Sequence, residues 1–178
     1  MAQPNSSEQR PSLVTEGKQW AVCVTGTLLP PNQTTFTYRL QGDTIINSKR
    51  YLIEHESYDI HLNDWKPSGR YMREENGKVY EITDKDKREL PFFDYTMQVG
   101  DTLRYIYSGE VSDHYQCIRL VAIRDSVMRN GDGKVRKCYY VQSGWYYEGV
   151  YRFNEAVDGQ FLFIEDIGSA FDGLSHPS

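Results

Sequence analysis

Gly69-Arg70-Tyr71-Met72-Arg73-Glu74-Glu75-Asn76-Gly77-Lys78-Val79-Tyr80-Glu81-Ile82 reads as two short runs, 69–75 and 78–82, joined by Asn-Gly. A two-residue hairpin turn of type I′ needs positive φ at both central positions, and Asn-Gly takes up that geometry at least cost. The same pattern extends outward. Residues 35–41 place Phe36, Tyr38 and Leu40 on one face, with Thr35, Thr37, Arg39 and Gln41 on the other. Residues 18–24 align Trp20, Val22 and Val24; Tyr51, Ile53 and His55 alternate with Leu52, Glu54 and Glu56. Leu103, Tyr105 and Tyr107 alternate with Thr102, Arg104 and Ile106, and Val135, Tyr139 and Val141 share a face. This period of two is that of strands, and no window of a dozen or so residues carries a helical stripe.

Punctuation supports the same architecture. Asn130-Gly131-Asp132-Gly133 predicts a second hairpin between 118–128 and 134–141. Gly42-Asp43 and Gly100-Asp101 are each expected to open a strand beginning with Thr, and residues 84–87 form a polar turn ahead of 90–93. At 178 residues and 20.7 kDa the chain is the size of one compact domain. The expectation is all-β: an antiparallel meander of about nine to eleven short strands forming a barrel or sandwich. A disordered polar tail over residues 1–12 would precede a single β domain over residues 13–178.

Composition limits the functions available. Hydrophobic residues at 39% and charged residues at 25% describe a globular chain, and fourteen Tyr favour pleated surfaces. A net charge of −5 and a pI near 5.4 argue against nucleic acid as a partner. No apolar run is long enough for a membrane-spanning helix. Residues 1–12 contain Pro4 and Pro11 but no apolar segment, so no secretory signal is read there. Charge is uneven, with six basic residues from Arg119 to Lys137 against Asp125 and Asp132. Such a run is first a solvated strand face, and second a patch for an anionic ligand.

Metal and cofactor chemistry find little support. Cys23, Cys117 and Cys138 are widely spaced and form no Cys-x-x-Cys pair, so no structural zinc site is expected. Cys23 and Cys138 sit in apolar-patterned strands, where buried free thiols are expected. His55 and His61, and His114 with Cys117, match no ligand signature. Asp84-Lys85-Asp86 and Asn130-Gly131-Asp132 lack the remainder of a calcium loop and read as turns. No metal and no cofactor are expected.

The densest aromatic segment runs from Tyr139 to Phe153, where seven of fifteen residues are aromatic. A strand has two faces, so these rings cannot all enter one core. Trp145, Tyr146 and Tyr147, with Tyr140, are therefore candidates for stacking on a sugar or a protein partner, with Gln142, Glu148 and Arg152 as polar neighbours. No catalytic residue is assigned. One alternative is a glycan hydrolase using a carboxylate pair, for which Glu54/Glu56, Glu74/Glu75 and Glu165/Asp166 are the candidates. Another is a lipocalin-like carrier, although Gly17-Lys18-Gln19-Trp20 puts one residue too many between Gly and Trp for that fold's usual start.

Several phrases carry a resemblance. They are Gly42-Asp43-Thr44-Ile45-Ile46-Asn47 with Lys49 and Tyr51; Arg73-Glu74-Glu75-Asn76-Gly77-Lys78-Val79-Tyr80; Phe93-Asp94-Tyr95 with Val99-Gly100-Asp101-Thr102; Arg136-Lys137-Cys138-Tyr139; and Ile164-Glu165-Asp166-Ile167-Gly168-Ser169 with Gly173-Leu174. In this order they resemble a family of exported, β-rich proteins of Gram-negative anaerobes, with phrases of the type GDTIINGKxY, REDGKVY, YDFxLKVGDT and WIEGIGSxxGL. The likeness spans residues 13–174 and departs at Phe163, usually Trp, and at Asp166, usually Gly. It implies a β fold and export to the periplasm or cell surface, with a signal peptide removed. It supplies no catalytic residues. The resulting expectation is an exported, non-enzymatic interaction or carbohydrate-contacting module.

Overall fold

Twelve strands make up the regular structure of the computed structural model, which describes residues 12–25, 33–84, 87–105, 115–127, 133–154, 161–165 and 167–169. The first sheet is β1 (Gln19–Thr25), β2 (Gln33–Ile46), β3 (Lys49–Ser57), β4 (Lys66–Glu75), β5 (Lys78–Thr83) and β6 (Leu90–Asp94), side by side in chain order. The second contains β7 (Thr102–Tyr105), β8 (Tyr115–Val127), β9 (Val135–Tyr147), β10 (Val150–Phe153), β11 (Phe161–Ile164) and β12 (Gly168–Ser169). Its order is β12-β11-β9-β8-β7, with β10 pairing β9 beyond the end of β11. All pairings are antiparallel, as the period of two and the hairpin signals require.

One core joins the two sheets. Leu40, Met72, Val79, Phe92 and Phe93 of the first meet Ile118, Leu120, Tyr139, Val141 and Phe163 of the second. At its centre the Phe93 and Phe163 rings stack at 4.1 Å, with Tyr139 edge-on to Phe93 at 5.6 Å. Tyr95, in the segment linking the sheets, donates its hydroxyl to the Ile164 carbonyl, and its own carbonyl accepts from Tyr139. The chain is fastened early: Glu74 accepts from the Ser12 hydroxyl and from the Leu13 and Val14 amides, which seats Leu13 in the core.

The Asn76-Gly77 turn forms as read, with φ of 52° and 78°. Gly42-Asp43 does not open a strand. It lies inside β2 as a bulge between Leu40 and Asp43, where Gly42 at φ 71° absorbs the register shift and its amide is held by Glu16. The turn at 130–132, residues 1–11, 85–86, 155–160 and 170–178, and the side chain of Cys23 lie outside the described residues. Cys117 and Cys138 are buried free thiols, and burial pushes both upward in pKa.

Candidate functional site

The aromatic segment is a hairpin in its own right. β9 turns into β10 at Glu148-Gly149, with φ of 48° and 85°, pairing Tyr147 with Val150, Tyr146 with Tyr151, Trp145 with Arg152 and Gly144 with Phe153. Cross-strand partners share a face. Trp145, Tyr147, Val150 and Arg152 therefore lie on one face, together with Gln116 of β8 opposite Trp145. Nearer the middle of the sheet the same face supplies Tyr139 and Val141 to the core. Farther along β9 the core ends, and Trp145 and Tyr147 stand 49% and 44% exposed beside the exposed Val150. The result is an amphipathic ledge of two rings about 7 Å apart along the strand, flanked by a cation and an amide.

Alternation sends the remaining candidates to the opposite face. Tyr140, Gln142 and Tyr146 lie there with Tyr151 and Phe153, so a continuous Trp145-Tyr146-Tyr147 strip does not form. Arginines from neighbouring strands cover these rings. The Arg104 guanidinium lies 4.0 Å from the Tyr146 centroid and bonds the Tyr151 hydroxyl; Arg119 lies 4.3 Å from Phe153, and Arg124 4.8 Å from Tyr140. Arg119 also donates to Gln142 at 2.7 Å, and Gln142 donates to the Asn154 carbonyl. Gly144 is required by close approach: a Cβ there would sit 2.4 Å from the Arg152 carbonyl oxygen and 2.7 Å from the Phe153 ring.

Of the six carboxylates considered for hydrolysis, Glu54, Glu74, Glu75 and Glu165 have structural partners. Glu54, 1% exposed, accepts from Ser68 at 2.8 Å and pairs with Arg70 at 3.1 Å; Arg70 also pairs with the equally buried Glu81 at 2.7 Å. Burial raises the Glu54 pKa, with Arg70 and Ser68 opposing and Glu81 adding to the rise. Burial alone would lower Arg70, but Glu54 and Glu81 outweigh it and hold the guanidinium charged. Glu74 holds the Leu13 segment, Glu75 pairs with Arg73, and Glu165 accepts from the Lys137 amide. Asp166 lies outside the described residues. Glu54, Arg70 and Glu81 share the Met72 face of the first sheet, so an apolar ligand entering there would meet buried charge. Among the described residues no group of three metal-ligating side chains comes together.

A second polar cluster lies on the reverse face. Glu89 accepts from Tyr51, Arg73 and Lys49; although burial opposes it, these three donors hold its carboxyl down at about 2.

Fold and site together describe an all-β, two-sheet protein with an exposed aromatic ledge at one hairpin. Among the described residues no helix is long and apolar enough to cross a membrane. No protein-family model, curated protein or solved structure matches the chain.

Proposed function

We propose that this protein is an exported, non-enzymatic interaction module that contacts neutral glycans through the Trp145–Tyr147 ledge. The observation carrying this reading is the pair of half-exposed rings on one face of β9, beyond the end of the core. Two rings along one extended strand offer flat apolar faces to the C–H faces of sugars. Gln116 and Arg152 beside Trp145 supply hydrogen bonds that set orientation. Export rests on the strand-and-turn phrases resembling those of exported β proteins. The non-enzymatic reading rests on Glu54, Glu74 and Glu165, which are held in a buried ion pair or bonded to backbone amides. A glycan array tests it. Binding of neutral oligosaccharides should weaken roughly 10- to 100-fold in Trp145→Ala. Absence of any neutral glycan signal with the wild-type protein would remove the reading.

A further inference from the structure

Three arginines in the first sheet are paired with carboxylates, Arg50 with Asp43, Arg70 with Glu54 and Glu81, Arg73 with Glu75 and Glu89, while Arg39 lies over the Trp65 ring at 4.1 Å. In the second sheet the pattern changes. Register places Arg104 of β7, Arg119 and Arg124 of β8 and Arg136 of β9 on the face opposite the Trp145 ledge. No acidic residue occupies a paired strand position on that face among the described residues. Arg104, Arg119 and Arg124 have no carboxylate partner among the described residues and lie on aromatic rings instead. Arg104 and Arg124 are exposed.

This arrangement is a concentration of positive charge on a chain whose net charge is −5. The level of Arg104 is that of Gly144 in β9, eight residues from Arg136, so the four arginines span roughly 27 Å along the strand direction. A guanidinium lying on a ring has already lost much of its rotamer freedom, and with five N–H donors each, Arg104 and Arg119 keep donors beyond those given to Tyr151 and Gln142. Between Arg119 and Arg124 lies Tyr140, a hydroxyl-bearing ring that suits a hydroxylated polymer.

We propose that this face binds an extended polyuronate, a polysaccharide carrying carboxylates along its length. The planar carboxylate matches the planar guanidinium fork, and the repeat spacing lets one chain reach successive arginines. Single-stranded nucleic acid fits less well, because the ring faces that bases would stack on are covered by guanidinium groups. The inference stands apart from the ledge reading, since the two surfaces are opposite faces of the same strands.

Calorimetric titration of the full chain with polygalacturonate, dextran sulfate and a poly-dT oligomer at matched charge, over a salt series, tests it. Polygalacturonate should bind, and its affinity should fall as salt rises. Arg104→Gln/Arg124→Gln should weaken it roughly 100-fold, and Trp145→Ala should leave it unchanged. Should the double variant unfold, Arg124→Gln alone, at an exposed position, should cost roughly tenfold, with Arg124→Lys intermediate because charge survives but the fork does not. Absence of polygalacturonate binding, indifference to the arginine variants, or tighter binding of poly-dT or dextran sulfate would overturn the proposal.

Discussion

Gly144→Ala is the sharpest structural perturbation at the candidate site. The new Cβ would lie 2.4 Å from the Arg152 carbonyl oxygen and 2.9 Å from the Phe153 Cα, and both are backbone atoms. Ordinary contact is about 3.4 Å or more, so β10 must withdraw by about 1 Å. Overpacking of this kind costs about 1–3 kcal/mol. Withdrawal also lifts the Phe153 ring from Arg119 and disturbs its stack on Tyr151, each worth about 0.5–1 kcal/mol. The sum is about 2–5 kcal/mol. β10 is four residues long and, among the described residues, pairs with β9 alone, so the damage should concentrate in the hairpin. Urea unfolding should show the loss, and hydrogen exchange should show it localised to residues 144–153 ahead of the rest of the sheet. Stability within about 0.5 kcal/mol of wild type, with unchanged hairpin protection, would refute the packing argument.

The buried Glu54 and the half-buried Glu89 respond to pH with opposite signs. Glu89, drawn from 4.5 to about 2 on folding, contributes about 3 kcal/mol at neutral pH. That contribution is complete above about pH 4.5 and fades as pH falls towards 2, so Glu89→Gln should flatten the acid limb of a stability–pH profile and lower stability near pH 7. A profile parallel to wild type would contradict the Glu89–Arg73 geometry. Glu54 has the reverse shift, so its ionisation costs stability as pH rises through its raised value. Glu54→Gln, which keeps an acceptor for Ser68, should therefore lie within about 1 kcal/mol of wild type at pH 7. Arg70→Met leaves two buried carboxylates without their cation and should cost about 3–5 kcal/mol by chemical denaturation; a loss under about 1 kcal/mol would show that Arg70 does not hold the pair. Cys117 and Cys138, buried and raised in pKa, should resist a thiol reagent until the protein unfolds. Fast labelling of either in the folded protein would contradict their burial.

Strand identity was legible because alternation and Asn76-Gly77 are local signals. Other turns were not. Asn47-Ser48 and Glu148-Gly149 also reverse the chain at positive φ, but Ser48 at 63° and Glu148 at 48° are residue types that seldom take positive φ. The Glu148 turn matters most, because it folds the aromatic segment back on itself and decides which rings are neighbours. Gly42-Asp43 looked like a strand opening because a bulge and a turn use the same positive-φ glycine. The buried Glu54–Arg70–Glu81 cluster was invisible for a different reason. A charge at an inward position of an alternating run looks like one at an outward position until register is known, and bulges at 40/43 and 53/55 shift that register. Trp145, Tyr146 and Tyr147 stand together in the sequence as stacking candidates, and only Trp145 and Tyr147, at i and i+2, share a face. Their separation from Tyr146 follows from the pleat, and the arginines over the other rings come from β7 and β8, beyond the reach of a local pattern.

The ledge can be observed directly through its indole. The three tryptophans are distinct: Trp65 donates to the Leu62 carbonyl, Trp20 stacks on Tyr38, and Trp145 stands exposed on β9. In a nitrogen–proton NMR titration with a neutral oligosaccharide chosen from the array, the Trp145 indole resonance should move progressively to saturation while those of Trp20 and Trp65 stay in place. A Trp145 resonance that does not move at saturating oligosaccharide, or movement at Trp20 or Trp65 in its stead, would contradict the assignment of the ledge as the glycan-contacting surface.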